Sequence, residues 1–533
     1  MPRLLLINPR FRPSFWSLEW FYAKVYSKLR YPVAPLGLAS VAALTPDHWE
    51  IDIVDENVEE IDWDHPADIV GVAGMVAQYA RQRHIIERFR EKGRYVVAGG
   101  NAASLLPDTF RGLADTVVAG EAEYTWPRFC QDYERGDPKA LYQETGDVDL
   151  ADSPVPRFDL LKLDRYNLAA VQFSRGCPFR CEFCDIIVVF GRKPRTKSTA
   201  QIGAELDALH ALGARNVFFV DDNLIGHKPK AKELLKFLVD YQKERGHRFY
   251  FGTEASVNVA DDEELLPLLR AAGFGWIFTG IESPNAAALE ETLKFQNMRV
   301  DLYESVRRIH AAGIGVQAGF IVGFDADDET VFERQFEFIQ KAGIYLPMVG
   351  LLVATPRTPL WDRLEAEGRL RGSSDDESYA GSLLAGAPAD NTTAWTNIQP
   401  ARMSYRSLVE GYAALVRRLF DDRAIFERLQ SHMESLENPL IKVMVEDKDD
   451  PGFAGRFVRE GLVKGGPRRW YYFLRSLALV RGDTGRFSAV MDFWSLSIAL
   501  QAFVRRAFAP DVVAAALRAE EGRSARAPEV VPA

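Results

Sequence analysis

Twice along this chain, short apolar runs alternate with segments of amphipathic helical period, and that alternation restricts the fold more than any other property of the sequence. In the first series, residues 4–7, 51–54, 69–73, 95–98 and 116–119 read as short buried strands, with helices over 81–92 and 123–133. In the second, strands are expected at 168–173, 216–220, 249–253, 276–279, 316–322 and 348–353, separated by helical segments such as 204–212 and 232–243. Such alternation folds as a parallel sheet covered by helices. The expected class is therefore α/β: a Rossmann-like doubly wound sheet, then a partial (βα)6 barrel whose strand carboxyl ends share one face.

The expected division places the first domain at 1–145, an acidic linker with Pro154 and Pro156 at 146–165, the barrel at 166–370, and a Gly/Ser/Asp/Ala-rich linker or lid at 371–398. Residues 399–520 are helical in pattern, with long amphipathic segments at 405–419 and 487–508, and 521–533 read as a disordered tail. A length of 533 residues with 47% hydrophobic content supports roughly two to four domains. The excess of 75 acidic over 65 basic residues, a net charge of −10, argues against nucleic acid as a partner. No apolar run has the length of a transmembrane helix and the opening residues lack a signal layout, so a cytoplasmic location is expected. Arginines beside aromatics at 468–473, and again around Phe493, Trp494, Phe503, Arg505 and Arg506, leave peripheral membrane contact or a greasy substrate open, although packing against the barrel is the commoner outcome.

Three of the four cysteines, Cys177, Cys181 and Cys184, fall within eight residues in a C-x3-C-x2-C spacing. Clustered thiols in a large chain point to a metal site in a reducing compartment rather than to disulfides. Zinc and an iron–sulfur cluster are both chemically open. Zinc normally takes four protein ligands, and the remaining thiol, Cys130, lies far upstream, so Asp185 or a distant histidine would have to complete the site. Three thiolates on a four-iron cluster instead leave one iron free for a substrate or cofactor.

The spacing, with an aromatic before the third cysteine (Phe183), resembles the cluster loop of radical S-adenosylmethionine (radical SAM) enzymes. The following Cys184-Asp185-Ile186-Ile187 and Gly191-Arg192-Lys193-Pro194-Arg195-Thr196-Lys197 are similar to the cobalamin-binding subfamily that includes the hopanoid C-2 methylases and carries an uncharacterised C-terminal domain. The resemblance implies a [4Fe-4S] cluster, S-adenosylmethionine and cobalamin as cofactors, an electron donor such as flavodoxin or ferredoxin, and a small-molecule or lipid substrate. It assigns cluster binding to Cys177, Cys181 and Cys184. For S-adenosylmethionine it suggests Phe183, the Asp221–Asp222 pair near the methionine amino group, Glu254 and Glu282 at the ribose, and the strand bounded by Gly319 and Gly323 beside adenine. Polar residues recurring at successive strand ends fit a lined pocket, though for any single one helix capping is the commoner role.

In the first domain the glycine-rich turns at Gly74, Gly99–Gly100 and Gly120-Glu121 follow strands, where a parallel sheet binds ligands. Each alone is an ordinary turn requirement; together they resemble a cobalamin-binding domain. A D-x-H-x-x-G cobalt-ligand pattern is missing, because His65 has the wrong spacing and reads as a surface residue. Arg192, Lys193, Arg195 and Lys197 form a basic group that suits either a cofactor anion or plain solvent exposure. The function implied is a cobalamin-dependent radical SAM methyltransferase acting on an unactivated carbon of a lipid or secondary metabolite. The alternatives are a radical SAM cyclase, oxidase or rearrangement enzyme without methyl transfer, and, from another class, a zinc-stapled binding or scaffold protein.

Overall fold

The computed structural model describes residues 1–144, 146–246, 249–371, 381–384, 393–441 and 452–524. The segment read as a lid, 371–398, and the tail, 521–533, lie largely outside these. The strands are β1 (Arg3–Asn8), β2 (Tyr31–Val33), β3 (Glu50–Asp55), β4 (Ile69–Ala73), β5 (Tyr95–Gly99), β6 (Thr116–Ala119), β7 (Leu141–Gln143), β8 (Tyr166–Val171), β9 (Ser174–Arg175), β10 (Arg195–Thr196), β11 (Asn216–Phe219), β12 (Tyr250–Glu254), β13 (Phe274–Glu282), β14 (Gly315–Val322) and β15 (Leu346–Leu351).

The first sheet is wholly parallel in the order β3-β1-β4-β5-β6-β7. Its central strands, β4 (IVGVA) and residues 4–7 of β1, are continuous apolar runs because both faces are covered, whereas the edge strand β3 alternates with Glu50 and Asp52. Leu4 and Leu6 of β1 pack with Trp126 and Phe129 on one side, while Leu5 and Ile7 join Val70, Ile86 and Phe89 on the other. The second sheet is also parallel, in the order β15-β14-β13-β12-β11-β8-β2. It is the curled half-barrel expected, with one strand more than the six read from the sequence.

That extra strand corrects the contiguous first domain of 1–145. Residues after β1 leave the first sheet, β2 pairs with β8 (Tyr31 beside Tyr166, Val33 beside Leu168), and the helix Leu36–Ala43 returns to the first sheet. The aromatic stretch before β2, read as irregular, holds one short helix, Glu19–Lys24, and is otherwise wall. Phe15 sits in the barrel cluster against Phe503, and Phe21 and Val25 pack into the C-terminal helices. The linker at 146–165 forms short 3-10 turns with Phe158 buried.

The C-terminal helices are structural cladding over much of their length. Tyr405–Leu419 lays Leu408, Tyr412 and Val416 on the barrel core. The helix Thr484–Ala507 is long and apolar enough to cross a membrane, contrary to the sequence expectation, yet 61% of its apolar 18-residue stretch is buried inside the protein. Phe493 and Trp494 are fully buried, so packing accounts for these aromatics.

Candidate active site

The cysteine loop lies between the carboxyl ends of the two sheets. It leaves β8, passes through the two-stranded ribbon of β9 and β10, and is shaped first by Gly176. That residue has φ +88°, and a Cβ there would stand 2.9 Å from the Lys193 carbonyl oxygen and 3.1 Å from that of Gly191. Only glycine meets both demands. Gly176→Ala is expected to cost about 1–2 kcal/mol from left-handed strain alone, and to lower the iron taken up per chain; melting curves and iron assay read the two effects.

Asp222 accepts a hydrogen bond from Gly176 N at 2.8 Å, and Asp221 accepts from Phe173 N at 3.2 Å and from Ser174 Oγ at 2.5 Å. Asp221 is thus buried and bonded to the loop's own root. Burial pushes Asp221 up to about 7 and Asp222 to about 6. The loop's far end is held by Glu182, whose carboxylate takes Arg363 Nη2 at 2.7 Å and Nε at 3.1 Å, while Arg363 Nη1 also donates to Asp325 at 2.7 Å. The sequence reading missed Glu182 and Arg363, since an acid between two cysteines carries no signal for a partner far along the chain.

Cys177 and Cys184 are partly exposed and Cys181 is buried. Asn223 Nδ2 stands 4.0 Å from Cys177 Sγ, and Gln296 Nε2 3.6 Å from Cys181 Sγ. Cys130 is remote, in the core beside Leu4 and Phe129, where burial pushes its thiol up. Among the described residues, no group of three or more His, Cys, Asp or Glu side chains is placed to grip one metal ion. A single zinc needs its sulfurs to converge at about 2.3 Å from one point, whereas a four-iron cluster takes each thiolate on a separate iron. Three thiols on one loop, with amide donors beside two of them, fit the cluster.

The first domain meets this loop through its glycine turns. Gly74, Gly99, Gly100 and Gly120 stand at the carboxyl ends of adjacent strands β4, β5 and β6, and Gly100, at φ +86°, comes so near Gly74 that a Cβ would lie 2.7 Å from its oxygen. Beside them, Asn101 Nδ2 donates to Asp185 at 3.3 Å. Glu121 accepts from Arg175 and Arg195, each at 2.7 Å, and Glu123 from Arg175 at 2.8 Å, all four side chains buried or nearly so. Glu121 is thereby an interdomain tie rather than a free ligand. Burial works against the Arg175 charge, but the two carboxylates outweigh it and hold its pKa up. The basic group divides accordingly: Arg195 and Lys197 are neutralised inside, by Glu121 and Glu205, and Arg192 is exposed. His65 pairs with Asp52 at 3.2 Å on the edge strand β3, away from the crevice.

The barrel encloses a chamber of about 500 Å³. Inward side chains at alternate positions line it, among them Phe218, Trp276, Phe278, Gln317 and Met348. Its open flank is walled by Phe15–Tyr26 and by Phe487–Leu496 of the long C-terminal helix. Glu254, at the carboxyl end of β12, closes the end nearest the cysteine loop. Burial foremost, with Asp222 and Asp221 adding to it, pushes Glu254 up to about 8. A carboxyl so raised weakens folding as pH climbs from its ordinary 4.5 toward 8, because the unfolded chain ionises first. Glu254→Gln should match the parent at pH 5 and exceed it at pH 9 by roughly a few kcal/mol in cofactor-free melts.

Two further residues take up unforeseen positions. Glu282 has φ +63° and binds Lys294, which stands 5.8 Å from the centre of the Phe183 ring. Phe183 itself packs in the apolar cluster shared by the two sheets, 6.1 Å from Phe324. Gly319 and Gly323 bracket the end of β14; a Cβ at Gly319 would touch Phe278 at 3.3 Å, and Gly323 has φ +110°.

These features define a cofactor-dependent α/β enzyme with its reaction crevice between two parallel sheets. The radical SAM superfamily model matches residues 171–339, the B12 binding domain model 23–129, and a domain of unknown function 358–509. An uncharacterised methyltransferase of Synechocystis sp. is 44% identical, over 70% of this chain and 70% of its own. The hopanoid C-2 methylase of Rhodopseudomonas palustris is 35% identical, over 77% of this chain and 78% of its own. The solved structure of the radical S-adenosylmethionine methyltransferase TsrM from Kitasatospora setae, with cobalamin and a [4Fe-4S] cluster bound, shares the fold at TM-score 0.58 and 16% identity, covering 95% of this chain and 100% of that one. The chain belongs to the cobalamin-binding radical SAM family that includes these methyltransferases. Membership sets its cofactors: a [4Fe-4S] cluster, S-adenosylmethionine and cobalamin.

Proposed function

We propose that this enzyme methylates an unactivated carbon of a lipid or other apolar metabolite held in the barrel chamber. The observation that carries the reading is the junction of Arg175 and Arg195 with Glu121 and Glu123, which fastens the cysteine loop directly under the glycine turns of the first domain. Cys177, Cys181 and Cys184 hold the cluster. Gly74, Gly99, Gly100 and Gly120 offer cobalamin a backbone edge without side chains. Glu254, with Asp222 behind it, and the Gly319–Gly323 end of β14 receive S-adenosylmethionine. Asp221, Glu121 and the Glu282–Lys294 pair hold these elements in place. When bound, the three groups supply radical chemistry and methyl delivery. The chain's own residues position them, and the apolar chamber wall excludes water from the reacting carbon. A substrate with a large apolar body is supported by the wall's composition and by the hopanoid methylase relative. A flavodoxin or ferredoxin is the proposed reductant.

The test is anaerobic reconstitution with iron, sulfide and hydroxocobalamin, then incubation with S-adenosylmethionine, reductant and fractionated lipids. One cluster and one cobalamin per chain, with 5′-deoxyadenosine, S-adenosylhomocysteine and a methylated product, support the proposal. 5′-Deoxyadenosine with a product lacking the added methyl group would replace it with radical chemistry of another kind.

A further inference from the structure

A second surface stands apart from the cofactor crevice. The helices Pro467–Leu477 and Thr484–Ala507 form a hairpin joined by 478–483 and pinned where Trp494 Nε1 donates to Ser476 Oγ at 2.9 Å. Its inner side is core, with Phe473 and Trp494 buried. Its outer side is not. Tyr471 and Leu474, one turn apart, are each 55% exposed, with Arg468 and Arg475 beside them and Arg481 exposed in the connecting turn. Arg475 donates to the Tyr471 hydroxyl at 3.2 Å, and Arg468 to Asp421 at 2.7 Å.

Charge sets this region apart from the rest of the chain. From 453 to 508 there are ten arginines and lysines against three aspartates and glutamates, in a protein whose net charge is −10. Arg456, Arg469 and Arg486 are bonded to internal oxygens; the exposed remainder includes Arg459, Lys464, Arg468, Arg475, Arg481, Arg505 and Arg506. The same end of the molecule carries an outlet of the chamber. Gly313, Gly315 and Tyr345, at the amino-terminal ends of β14 and β15, line it there, and Ile441 and Phe487 stand at its rim, 56% and 49% exposed. Single exposed apolar side chains need no explanation. Here they combine with a basic surface and the mouth of a greasy cavity.

We propose that the hairpin rests on an anionic lipid bilayer, with Tyr471 and Leu474 entering the interface and Arg468, Arg475 and Arg481 meeting lipid phosphates. Apolar side chains entering the headgroup boundary under a basic rim are the composition that binds there. Loading of the chamber from the bilayer past Ile441 and Phe487 is a consequence that rests on the apolar-substrate reading; the docking itself does not.

The experiment is sedimentation of the reconstituted holoenzyme with sucrose-loaded vesicles of phosphatidylcholine and phosphatidylglycerol at three to one, against vesicles of phosphatidylcholine alone. Partition is expected on the mixed vesicles, weakened by salt. Arg475→Gln with Arg481→Gln should reduce it by about fivefold per arginine, and Tyr471→Ser with Leu474→Ser should reduce it independently. Cleavage of S-adenosylmethionine without vesicles should remain at the parent rate in both variants, which shows that they are folded. No partition by the parent, equal partition on neutral vesicles, or partition unchanged in both variants would overturn the proposal. So would sedimentation-velocity evidence that this face pairs two copies of the chain. Because partition is read without turnover, its failure is separable from failure to methylate a lipid.

Discussion

Cys181→Ala protein reconstituted without oxygen should show no stable [4Fe-4S] absorbance and should cleave S-adenosylmethionine only at background. Cys181 is the buried member of the three, with Gln296 Nε2 at 3.6 Å from its sulfur. Removing it leaves two thiols on a loop that offers no substitute: Asp185 is turned toward Asn101, and Glu182 is bound to Arg363. Cys177→Ala and Cys184→Ala should behave alike. Cys130→Ala is the control, since that thiol lies in the core of the first domain and its loss should leave iron content unchanged. Retention of a full cluster in Cys181→Ala, or its loss in Cys130→Ala, would overturn the ligand assignment.

The second large effect falls on the tie between the domains. Arg175→Met deletes the cation from a buried cluster and leaves the Glu121 and Glu123 carboxylates facing each other with Arg195 alone, a loss of about 3–5 kcal/mol. Arg175→Lys should recover only part of this: Nη1 alone meets both carboxylates, as an ammonium could, but the bond from Arg175 Nε to Gln172 at 2.7 Å is lost. The pH dependence gives a sharper readout. In the parent, burial would raise Glu123, but Arg175 outweighs it and holds Glu123 below its ordinary 4.5. That stabilisation is complete above 4.5 and is lost as pH falls through the lower folded value. In Arg175→Met the buried carboxyl has lost that cation, so its pKa should rise and stability should fall as pH climbs above 4.5. The melting temperature of the variant should therefore fall further below that of the parent as pH climbs from 4 to 8, because contributions such as that of Glu254 are common to both and cancel in the difference. Cobalamin retention should drop with the tie, measured by absorbance after gel filtration.

Legibility in the sequence followed period and spacing. Buried parallel strands such as Leu4–Ile7 of β1 and Val316–Val322 of β14 declare themselves because both faces of each sheet are covered, leaving runs broken by at most one polar residue, Gln317. The cysteine loop was legible because its chemistry is local. What escaped was pairing across the chain. Arg195 and Lys197 read as part of a basic group for a cofactor anion or for solvent, although each has a buried acid waiting in another element. Asp221 and Glu282 read as cofactor contacts, and the sequence carried no sign that Asp221 accepts from Phe173 N or that Glu282 pairs with Lys294. The aromatic stretch before β2 was hard to read for a related reason: apart from the six-residue helix Glu19–Lys24, a wall segment packs by size, with no period to register.

The path of β2 has a bearing on how such enzymes can vary. Residues 3–8 lie in one sheet, 31–33 in the other, and 36–43 back on the first, while Tyr166 of β8 donates to Asp55 of β3 at 2.7 Å. The chain is therefore stitched through both sheets before the cysteine loop is even reached. Neither unit is a cassette that recombination could lift out whole at 146–165. A swap of the first domain between relatives would carry an edge strand and a chamber wall along with it, so cobalamin-type domain and substrate wall are bound to change together.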